Sequence, residues 1–394
     1  MKQPGKVALQ ARIIDSLSEI AAEEWDACAG WRDDGTGVNP FVAHAFLSAL
    51  ERSGSVGRKS GWLPQYMLIE DGDGHLQAAC PLYVKGHSYG EYVFDHGWAD
   101  AYERAGGRYY PKLQVAVPFT PVPGPRLLVR PGANHAALRQ ALIETLITTV
   151  NRSKMSSLHV TFCTAEEAAA FSKSDFLHRR GVQYHWQNQG YGSFDDFLAA
   201  LNSRKRKAIR KERAAVDRYG LTIRQLSGDE IEPQHWDAFF DFYMDTGNRK
   251  WGQPYLTRRF FDLIGRTMGQ QVVLMLAEKD GQPVAGALNL RGSDALYGRN
   301  WGCLADYRFL HFELCYYQAI DYAITHNLAR VEAGAQGEHK IQRGYLPVET
   351  HSAHWIADPG FRDAVAEFLN RETRALEQEM AELADYGPFR QSDS

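Results

Sequence analysis

Two stretches of the chain share one alternation of apolar runs and turn residues. The first extends from Tyr66 to Tyr83 and the second from Val272 to Leu290, and each has an Asp-Gly pair between two apolar runs, at Asp73-Gly74 and Asp280-Gly281. An Asp-Gly pair in this setting favours a tight β-hairpin, because both turn residues tolerate positive φ. The pattern therefore predicts one hairpin in each half of the chain.

The same order of elements follows each predicted hairpin: an aromatic-rich strand, an amphipathic helix and a short apolar strand. These elements span 91–98, about 134–151 and 157–162 in the first half, and 295–301, about 311–326 and 328–332 in the second. Four elements recurring in one order favour a duplicated α/β unit with a mixed sheet over a chance match. A chain of 394 residues is also long for one core. We therefore predict two domains, 1–190 and 191–394.

A strongly basic helix is predicted where the second domain opens. The run 203–216 has a narrow apolar stripe, and the rest of its surface is mainly cationic. A solvated helix face is the usual explanation of such a run, but the run also fits the phosphates of nucleic acid or of a diphosphate ligand. The candidate polyanion-binding residues are Arg204, Lys205, Arg206, Lys207 and Arg210.

Composition limits the class of protein without naming a function. Hydrophobic residues make up 44% of the chain and charged residues 23%, as in globular proteins. The five cysteines include no CxxC pair, which favours reduced thiols over disulfides or a zinc site. His351 and His354 would point to opposite faces of a strand, so we predict no metal site. Because the chain shows neither a signal peptide nor a run of 18 apolar residues, we expect a cytoplasmic protein.

Four runs of the sequence, at 109–126, 301–318, 332–340 and 350–355, carry a family resemblance. They resemble the bacterial FemAB-like "peptidoglycan biosynthesis/recognition" proteins, which are placed in the GNAT acyltransferase superfamily. The resemblance implies an α/β fold with mixed sheets in two tandem GNAT-like domains. The family is distantly similar to FemABX peptidyltransferases, which use aminoacyl-tRNA to add amino acids to the peptide of a cell-wall precursor. It therefore implies transfer of an activated amino acid or acyl group to an amine, such as that of a peptidoglycan-precursor peptide.

Two acyl donors stay open, acyl-CoA and aminoacyl-tRNA, and neither is a tightly bound cofactor. GNAT enzymes that use acetyl-CoA resemble one another in a Gln/Arg-x-x-Gly-x-Gly/Ala loop that holds pyrophosphate. Arg299 and Gly302 match the first half of that pattern, but Leu304 occupies the last small position and Asp306 follows. A bulky side chain obstructs the backbone approach and a carboxylate repels phosphate. FemABX proteins also lack a good pyrophosphate loop, so this departure resembles them. They have similar Arg/Lys-rich helices at the place of the basic run, and the resemblance therefore implies a landing site there for tRNA or precursor phosphates.

The densest polar chemistry lies between 332 and 345, where three glycines surround a Glu-His-Lys triplet. Glycine lets a backbone approach a ligand closely, so this pattern favours a site over a turn with solvated charges. Aminoacyl transfer needs a base for the amine proton and a donor for the oxyanion. Candidate bases are Glu338, His339 and Glu332, and Lys340 is the candidate cation, a role that the resemblance to FemABX enzymes also implies. For Glu332, an ion pair with Arg330 or Arg343 is the alternative interpretation.

Further residues are predicted to contact substrate. Arg343 is suited to a carboxylate or phosphate, and Gln336 lies in the same loop. Asp95 and His96 form a charged pair that we place at the end of a first-domain strand. Aromatic residues mostly belong to cores, but some here are placed to line a sugar or peptide cleft. The remaining candidate substrate contacts are Trp98, Tyr297, Arg299 and Trp301.

Two other functions stay open alongside aminoacyl transfer. One is an acetyl-CoA- or acyl-CoA-dependent N-acyltransferase with an unusual pyrophosphate loop. The other is a binding protein that keeps the fold and recognises muropeptides or nucleic acid without turnover. The acceptor, the general base and the oligomeric state also stay open.

Overall fold

The computed structural model describes residues 9–30, 39–250, 254–334, 337–385 and 387–390. The chain divides into two compact units, and we call them unit 1 and unit 2. Unit 1 consists of Met1–Gly181 and Thr350–Ala375, and unit 2 of Val182–Glu349 and Leu376–Ser394. The predicted domain boundary between 190 and 191 stays a prediction.

The described strands of unit 1 form two sheets. They are β1 (Gln10–Ile14), β2 (Trp62–Pro64), β3 (Tyr66–Glu70), β4 (Leu76–Cys80), β5 (Leu82–Lys85), β6 (Lys112–Val115), β7 (Leu128–Val129), β8 (Ser157–Cys163), the start of β9 (Leu177–Gln187) and the end of β15 (Leu346–Ile356), which pairs with β8. One sheet has the antiparallel order β1-β3-β4-β7. The other contains β2-β5-β6-β8, with β6 and β8 parallel. The helices are α1 (Ala22–Ala29), α2 (His44–Arg52), α3 (His96–Arg104), α4 (His135–Arg152) and α5 (Ala165–Ser172).

Unit 2 is built on a sheet with the strand order β10-β11-β12-β13-β14-β9. Its new strands are β10 (Thr222–Ser227), β11 (Val272–Lys279), β12 (Gln282–Arg291), β13 (Ala295–Cys303), β14 (Arg330–Glu332) and the start of β15 (Leu346–Ile356). The helices are α6 (Phe194–Ala200), α7 (Ser203–Asp217), α8 (Pro233–Lys250), α9 (Arg258–Thr267), α10 (Leu310–Phe312) and α11 (Gln318–Thr325), and α12 (Pro359–Asp385) has residues in both units. A π-helical turn, Glu313–Tyr317, joins α10 to α11.

Both predicted hairpins are present, as β3–β4 and β11–β12. In the second, Asp280 and Gly281 have φ of 52° and 77°, as a tight turn with two left-handed residues requires. In the first, the Asp71 carboxylate accepts hydrogen bonds from the amides of Asp73 and His75, so its turn is wider. The predicted duplication appears in each unit as two parallel strands separated in sequence by a helix, β6 with β8 and β13 with β14.

The strand predicted over 91–98 is wrong. Asp95 precedes the first residue of α3, and no strand is assigned between Glu91 and Phe94. The cause is buried ion pairing, since Lys112 Nζ donates to Glu91 at 2.8 Å and to Asp95 at 2.5 Å. Such pairing overrides an aromatic pattern that by itself is typical of a strand.

Each unit has its own apolar core. In unit 1, α4 packs Leu142 and Leu146 against strand residues such as Leu113 and Val160. In unit 2, the core includes Met275, Leu296, Ile320 and Val331. Among the helices in the described residues, none has both the length and the apolar character that a membrane span needs.

Candidate active site

Glu332 lies at the end of β14 in a row of polar side chains. The sheet register pairs it with Tyr297 on β13 and with His185 on β9. Register partners point to the same face of a sheet, so the three side chains are neighbours. Glu332 Oε2 lies 3.8 Å from His185 Nε2. The row thus places an acid and an imidazole where the glycine-rich loop begins.

The Glu332 carboxylate is buried and only half satisfied. Its Oε1 accepts a hydrogen bond from Arg330 Nε at 2.9 Å, whereas its Oε2 has no hydrogen-bond partner in the described part of the chain. Burial raises the pKa of Glu332 to about 6, although the charge of Arg330 opposes this shift. The predicted alternative, an ion pair with Arg330, therefore exists and involves one oxygen. The other oxygen is suited to accept a proton near neutral pH.

His185 is neutral beside this carboxylate. Burial lowers its pKa to about 3, and the charges of Arg330 and Lys340 act in the same direction. Its Nε2 lies 3.3 Å from Gln183 Oε1. A neutral imidazole leaves Glu332 as the titrating group of the row.

Lys340 is a buried cation that has no counter-ion among the described residues. It lies in a 3₁₀ segment, Glu338–Arg343, and its side chain donates to the Gly334 carbonyl at 2.9 Å. The residue is 2% exposed, and it forms no ion pair with any carboxylate that the structure describes. Burial lowers the pKa of Lys340 to about 8, which Cys315 nearby partly opposes. An ammonium held out of water and unpaired is suited to stabilise a developing oxyanion.

The loop before Lys340 depends on glycine. Gly337 has φ of 115°, and a Cβ there would lie 2.5 Å from the His339 ring. His339 is largely exposed, and its Nε2 lies 2.9 Å from Tyr316 Oη. Partial burial of its ring lowers its pKa, and the charges of Arg343 and Lys340 act in the same direction. Gln336 and the side chain of Glu338 lie outside the described residues, so their predicted roles stay predictions.

All three nitrogens of the Arg343 guanidinium donate hydrogen bonds to protein groups. Its Nη2 donates to Glu212 on α7 at 2.8 Å, its Nε to Tyr317 Oη at 3.1 Å, and its Nη1 to the His339 carbonyl at 2.8 Å. Its guanidinium also lies 3.5 Å from the centre of the Phe312 ring. The structure therefore connects Arg343 to α7 and to the π-helical turn, while substrate binding by Arg343 stays a prediction.

The other predicted contacts on β13 differ in exposure. Tyr297 is buried with its hydroxyl 3.3 Å from Arg330 Nη2, whereas Arg299 and Trp301 are half-buried. The positive charge of Arg299 contributes to lowering the pKa of Glu332, against the larger effect of burial. Trp301 packs edge-on against His311 at 5.2 Å.

Gly302 has a packing role in the segment that resembles a pyrophosphate loop. A Cβ on Gly302 would lie 2.2 Å from the carbonyl oxygen of Phe242 on α8. The glycine therefore lets α8 approach β13. Leu304, two residues later, is 58% exposed.

Of the candidate residues of unit 1, Asp95 belongs to a buried polar network, and His96 and Trp98 make ring contacts. Asp95 is 2% exposed and accepts hydrogen bonds from Lys112 and from Tyr109 Oη, at 2.7 Å for the latter. His96 is half-buried beside Tyr89, and Trp98 is buried against His354 at 5.0 Å. These contacts are structural, and a role for the three residues in substrate binding stays a prediction.

The basic helix is present as α7. The Asn202 side chain caps it by accepting from the Lys205 amide at 3.0 Å. Arg204, Lys207 and Arg210 are exposed, while Lys205 and Arg206 are half-buried. Arg210 forms an exposed ion pair with Asp195 at 3.2 Å. The predicted polyanion-binding cations thus lie on the first two turns of one helix.

Sequence reasoning missed His185. It lies in a strand whose pattern carries no local sign of a site, and only the register of β9 with β14 brings it to Glu332. The described residues contain no group of three or more His, Cys, Asp or Glu side chains arranged to bind a metal ion.

Comparison with known proteins assigns the family. A model of the FemAB-like family, described as peptidoglycan biosynthesis/recognition, matches residues 16–391. The chain belongs to the FemAB-like family. A comparison with curated proteins finds no match. Family membership confirms the predicted acyl or aminoacyl transferase class.

Solved structures show the fold of this FemAB-like chain. FemX is similar with a TM-score of 0.55 at 12% identity, over 88% of this chain and 98% of the FemX chain. The C-terminal domain of a putative lysylphosphatidylglycerol synthetase from Agrobacterium fabrum is similar with a TM-score of 0.52 at 10% identity, over 87% and 95% of the two chains. The FemX likeness, with the mixed sheets described above, confirms the predicted α/β fold with two tandem GNAT-like domains.

Proposed function

We propose that this FemAB-like protein transfers an aminoacyl group from aminoacyl-tRNA to the amine of a peptidoglycan-precursor peptide. The observation that carries the proposal is the presence in unit 2 of two buried charges that are incompletely satisfied among the described residues, at the start and near the end of one glycine-rich run. Glu332 has a buried oxygen without a hydrogen-bond partner, and Lys340 is a buried ammonium without a carboxylate partner, among the described residues. One is suited to accept a proton and the other to stabilise negative charge.

In the proposed reaction the acceptor amine attacks the ester carbonyl of the aminoacyl group. A carbon–nitrogen bond forms, the carbonyl oxygen becomes an oxyanion beside Lys340, and Glu332 takes the proton that the amine loses. Collapse of this intermediate breaks the ester bond. The proton then passes from Glu332 to the leaving ribose oxygen, which returns the carboxylate to its starting state.

The choice of donor is supported by α7. A helix N-terminus carries a partial positive charge, so cations on its first turns are unfavourable for the helix itself. Arg204 lies in that first turn and Lys207 in the second, and both are exposed, without ion pairs in the described structure. Phosphates of a nucleic acid would neutralise this excess of positive charge. The packing of Gly302 against α8 accounts for that glycine without a pyrophosphate ligand.

A transfer assay tests the proposal. Purified protein is mixed with tRNA charged with labelled amino acids and with a precursor pentapeptide, and acetyl-CoA replaces the tRNA in a parallel reaction. We expect labelled peptide from the tRNA reaction. Lys340→Ala should slow transfer by roughly 10²–10³, as loss of an oxyanion donor does. Arg258→Lys, at a half-buried arginine of unit 2 that pairs with Asp237 and Asp262, serves as the control.

Each outcome separates the alternatives. Acetylated peptide with no aminoacyl transfer would replace the proposal with CoA-dependent acylation. Tight binding of peptide or tRNA without transfer from either donor would support the non-catalytic alternative. An unchanged rate in Lys340→Ala would remove Lys340 from the mechanism.

A further inference from the structure

Arg343 and Glu212 form an ion pair that joins the two parts of unit 2 with proposed roles in transfer. Arg343 Nη2 donates to both oxygens of Glu212, at 2.8 and 3.0 Å. Glu212 lies on α7, the helix with the exposed cations, and Arg343 lies three residues after Lys340. The side chains are only 9% and 17% exposed. The pair therefore connects the predicted phosphate-binding helix to the segment that holds Lys340.

The contacts of Arg343 fix the backbone beside Lys340. Its Nη1 donates to the carbonyl of His339, which belongs to the peptide bond that enters Lys340. Its Nε donates to Tyr317 Oη, and the planar group stacks on Phe312. With partners on all three nitrogens and a ring against its face, the guanidinium has one position, as expected of a forked arginine.

Glu212 and the neighbouring Arg213, both on α7, have further hydrogen bonds to the π-helical turn and to α11. Tyr317 Oη donates to Glu212, and Arg213 donates to Glu313 at 3.0 Å and to Asp321 at 2.9 Å. Both Tyr317 and Glu313 belong to the π-helical turn between α10 and α11. Short π-helical turns are frequent at functional sites. Here the turn supplies partners to α7 and, through Tyr316, to His339.

We propose that Arg343 and Glu212 are positioning residues that hold Lys340 at a set place relative to the phosphate-binding face of α7. The ester carbonyl of a tRNA docked on α7 then meets the ammonium without any further adjustment of the protein. This inference rests on the proposed function. Because both side chains are occupied by protein partners, they act on the rate of the chemical step and leave donor binding unchanged.

Steady-state kinetics and a tRNA-binding titration test this role with Arg343→Lys, which keeps the charge and loses the planar group with its two parallel donors. We expect kcat to fall about 10- to 100-fold, the loss that a misplaced catalytic group produces, while Kd for aminoacyl-tRNA stays within about twofold. In a Lys340→Ala background, Arg343→Lys should add almost no further loss, because residues that act through one group are non-additive. Arg258→Lys is the matched control on another ion pair of unit 2, and its kcat should not change.

A second readout does not depend on activity. The rate of amine-specific labelling of Lys340, followed by peptide mass spectrometry across pH, reports the apparent pKa of Lys340. Loss of the Arg343–Glu212 ion pair should admit water to Lys340. The pKa of Lys340 should therefore rise from about 8 towards the ordinary lysine value in Arg343→Lys. If Arg343→Lys does not fold, as judged by circular dichroism, Glu212→Gln takes its place, because it keeps the shape of the partner. The same pattern is expected with a smaller loss.

Failure of this inference differs from failure of the proposed function. An unchanged rate in Lys340→Ala would contradict the proposed function itself. A large loss in Lys340→Ala with unchanged kcat and labelling in Arg343→Lys would overturn the positioning role alone. Losses that multiply in the double variant would also overturn it, since the pair would then act independently of Lys340.

Discussion

A buried carboxylate with a raised pKa makes transfer depend on pH. Glu332 has to be deprotonated to accept the amine proton, and its pKa is about 6. We therefore expect kcat/KM to rise with pH through about 6 and to level off above it. Glu332→Gln should lower the rate by roughly 10²–10⁴ and remove this acid limb, which a pH–rate profile measures. An acid limb that persists in the Gln variant would assign the titration to another group.

The residues of this site differ in how far sequence could reveal them. Lys340 and Glu332 were predicted because glycines and charges crowd one short run, which is a local signal. His185 was missed, because its place beside Glu332 is set by strand register over a separation of nearly 150 residues. The ion pair of Arg343 with Glu212 was missed for the same reason, since Glu212 lies on a helix that is distant in sequence.

At the scale of elements, the cations of α7 are expected to favour tRNA binding and to lower the stability of the helix. Arg204 lies in the first turn of the helix, where a cation opposes its dipole, and Lys207 lies in the second turn. Arg204→Glu combined with Lys207→Glu should abolish salt-sensitive tRNA binding, because phosphate contacts are lost. The same change should raise the free energy of unfolding by about 1 kcal/mol, because acids favour a helix N-terminus. Filter binding across salt concentrations and urea unfolding measure the two effects.

The matched control for α7 reverses two exposed lysines of unit 1. Lys59→Glu with Lys173→Glu changes the net charge equally and leaves α7 intact. This control should keep tRNA affinity and its salt dependence close to those of the unaltered protein. Equal losses in both double variants would show that net charge, and not α7, attracts the nucleic acid.

Elements were predictable where their determinants are local. The two hairpins follow from Asp-Gly turns between apolar runs, and α7 follows from its narrow apolar stripe. The segment 91–98 failed because its conformation depends on Lys112, which lies on a different strand. Short aromatic runs fit several structures, and a distant buried charge decided this one.

Across the whole molecule, the two units carry their buried charges differently. In unit 2, Glu332 and Lys340 are incompletely paired near the proposed reaction. In unit 1, Lys85 and Lys112 share a buried network with Glu91 and Asp95. Lys85 is fully buried, lies 3.7 Å from the centre of the Trp62 ring and donates to the Tyr89 carbonyl at 3.0 Å. The unit 1 network therefore affects stability, and its pH dependence can be separated from that of transfer.

Lys85 gives the stability of unit 1 a distinct pH dependence. Burial lowers its pKa to about 7, Lys112 acts in the same direction, and Glu91 and Asp95 oppose the shift. An unfolded lysine titrates near 10.4, so between about pH 7 and 10 the unfolded chain binds a proton that the folded unit does not. The free energy of unfolding should consequently rise with pH across this window.

Amide hydrogen exchange in β5 and β6, corrected for intrinsic rates, measures that rise within unit 1 itself. Lys85→Met should remove the rise of the free energy of unfolding with pH, because the side chain that titrates is gone. Lys59→Met, at an exposed lysine of the same unit, should keep it. If the Lys85→Met protein shows the full rise, another group of the network releases the proton. The Lys85→Met protein could lose the rise in the free energy of unfolding and keep the increase of kcat/KM through about pH 6. That result would show that Lys85 titrates for stability and Glu332 for transfer, independently of each other.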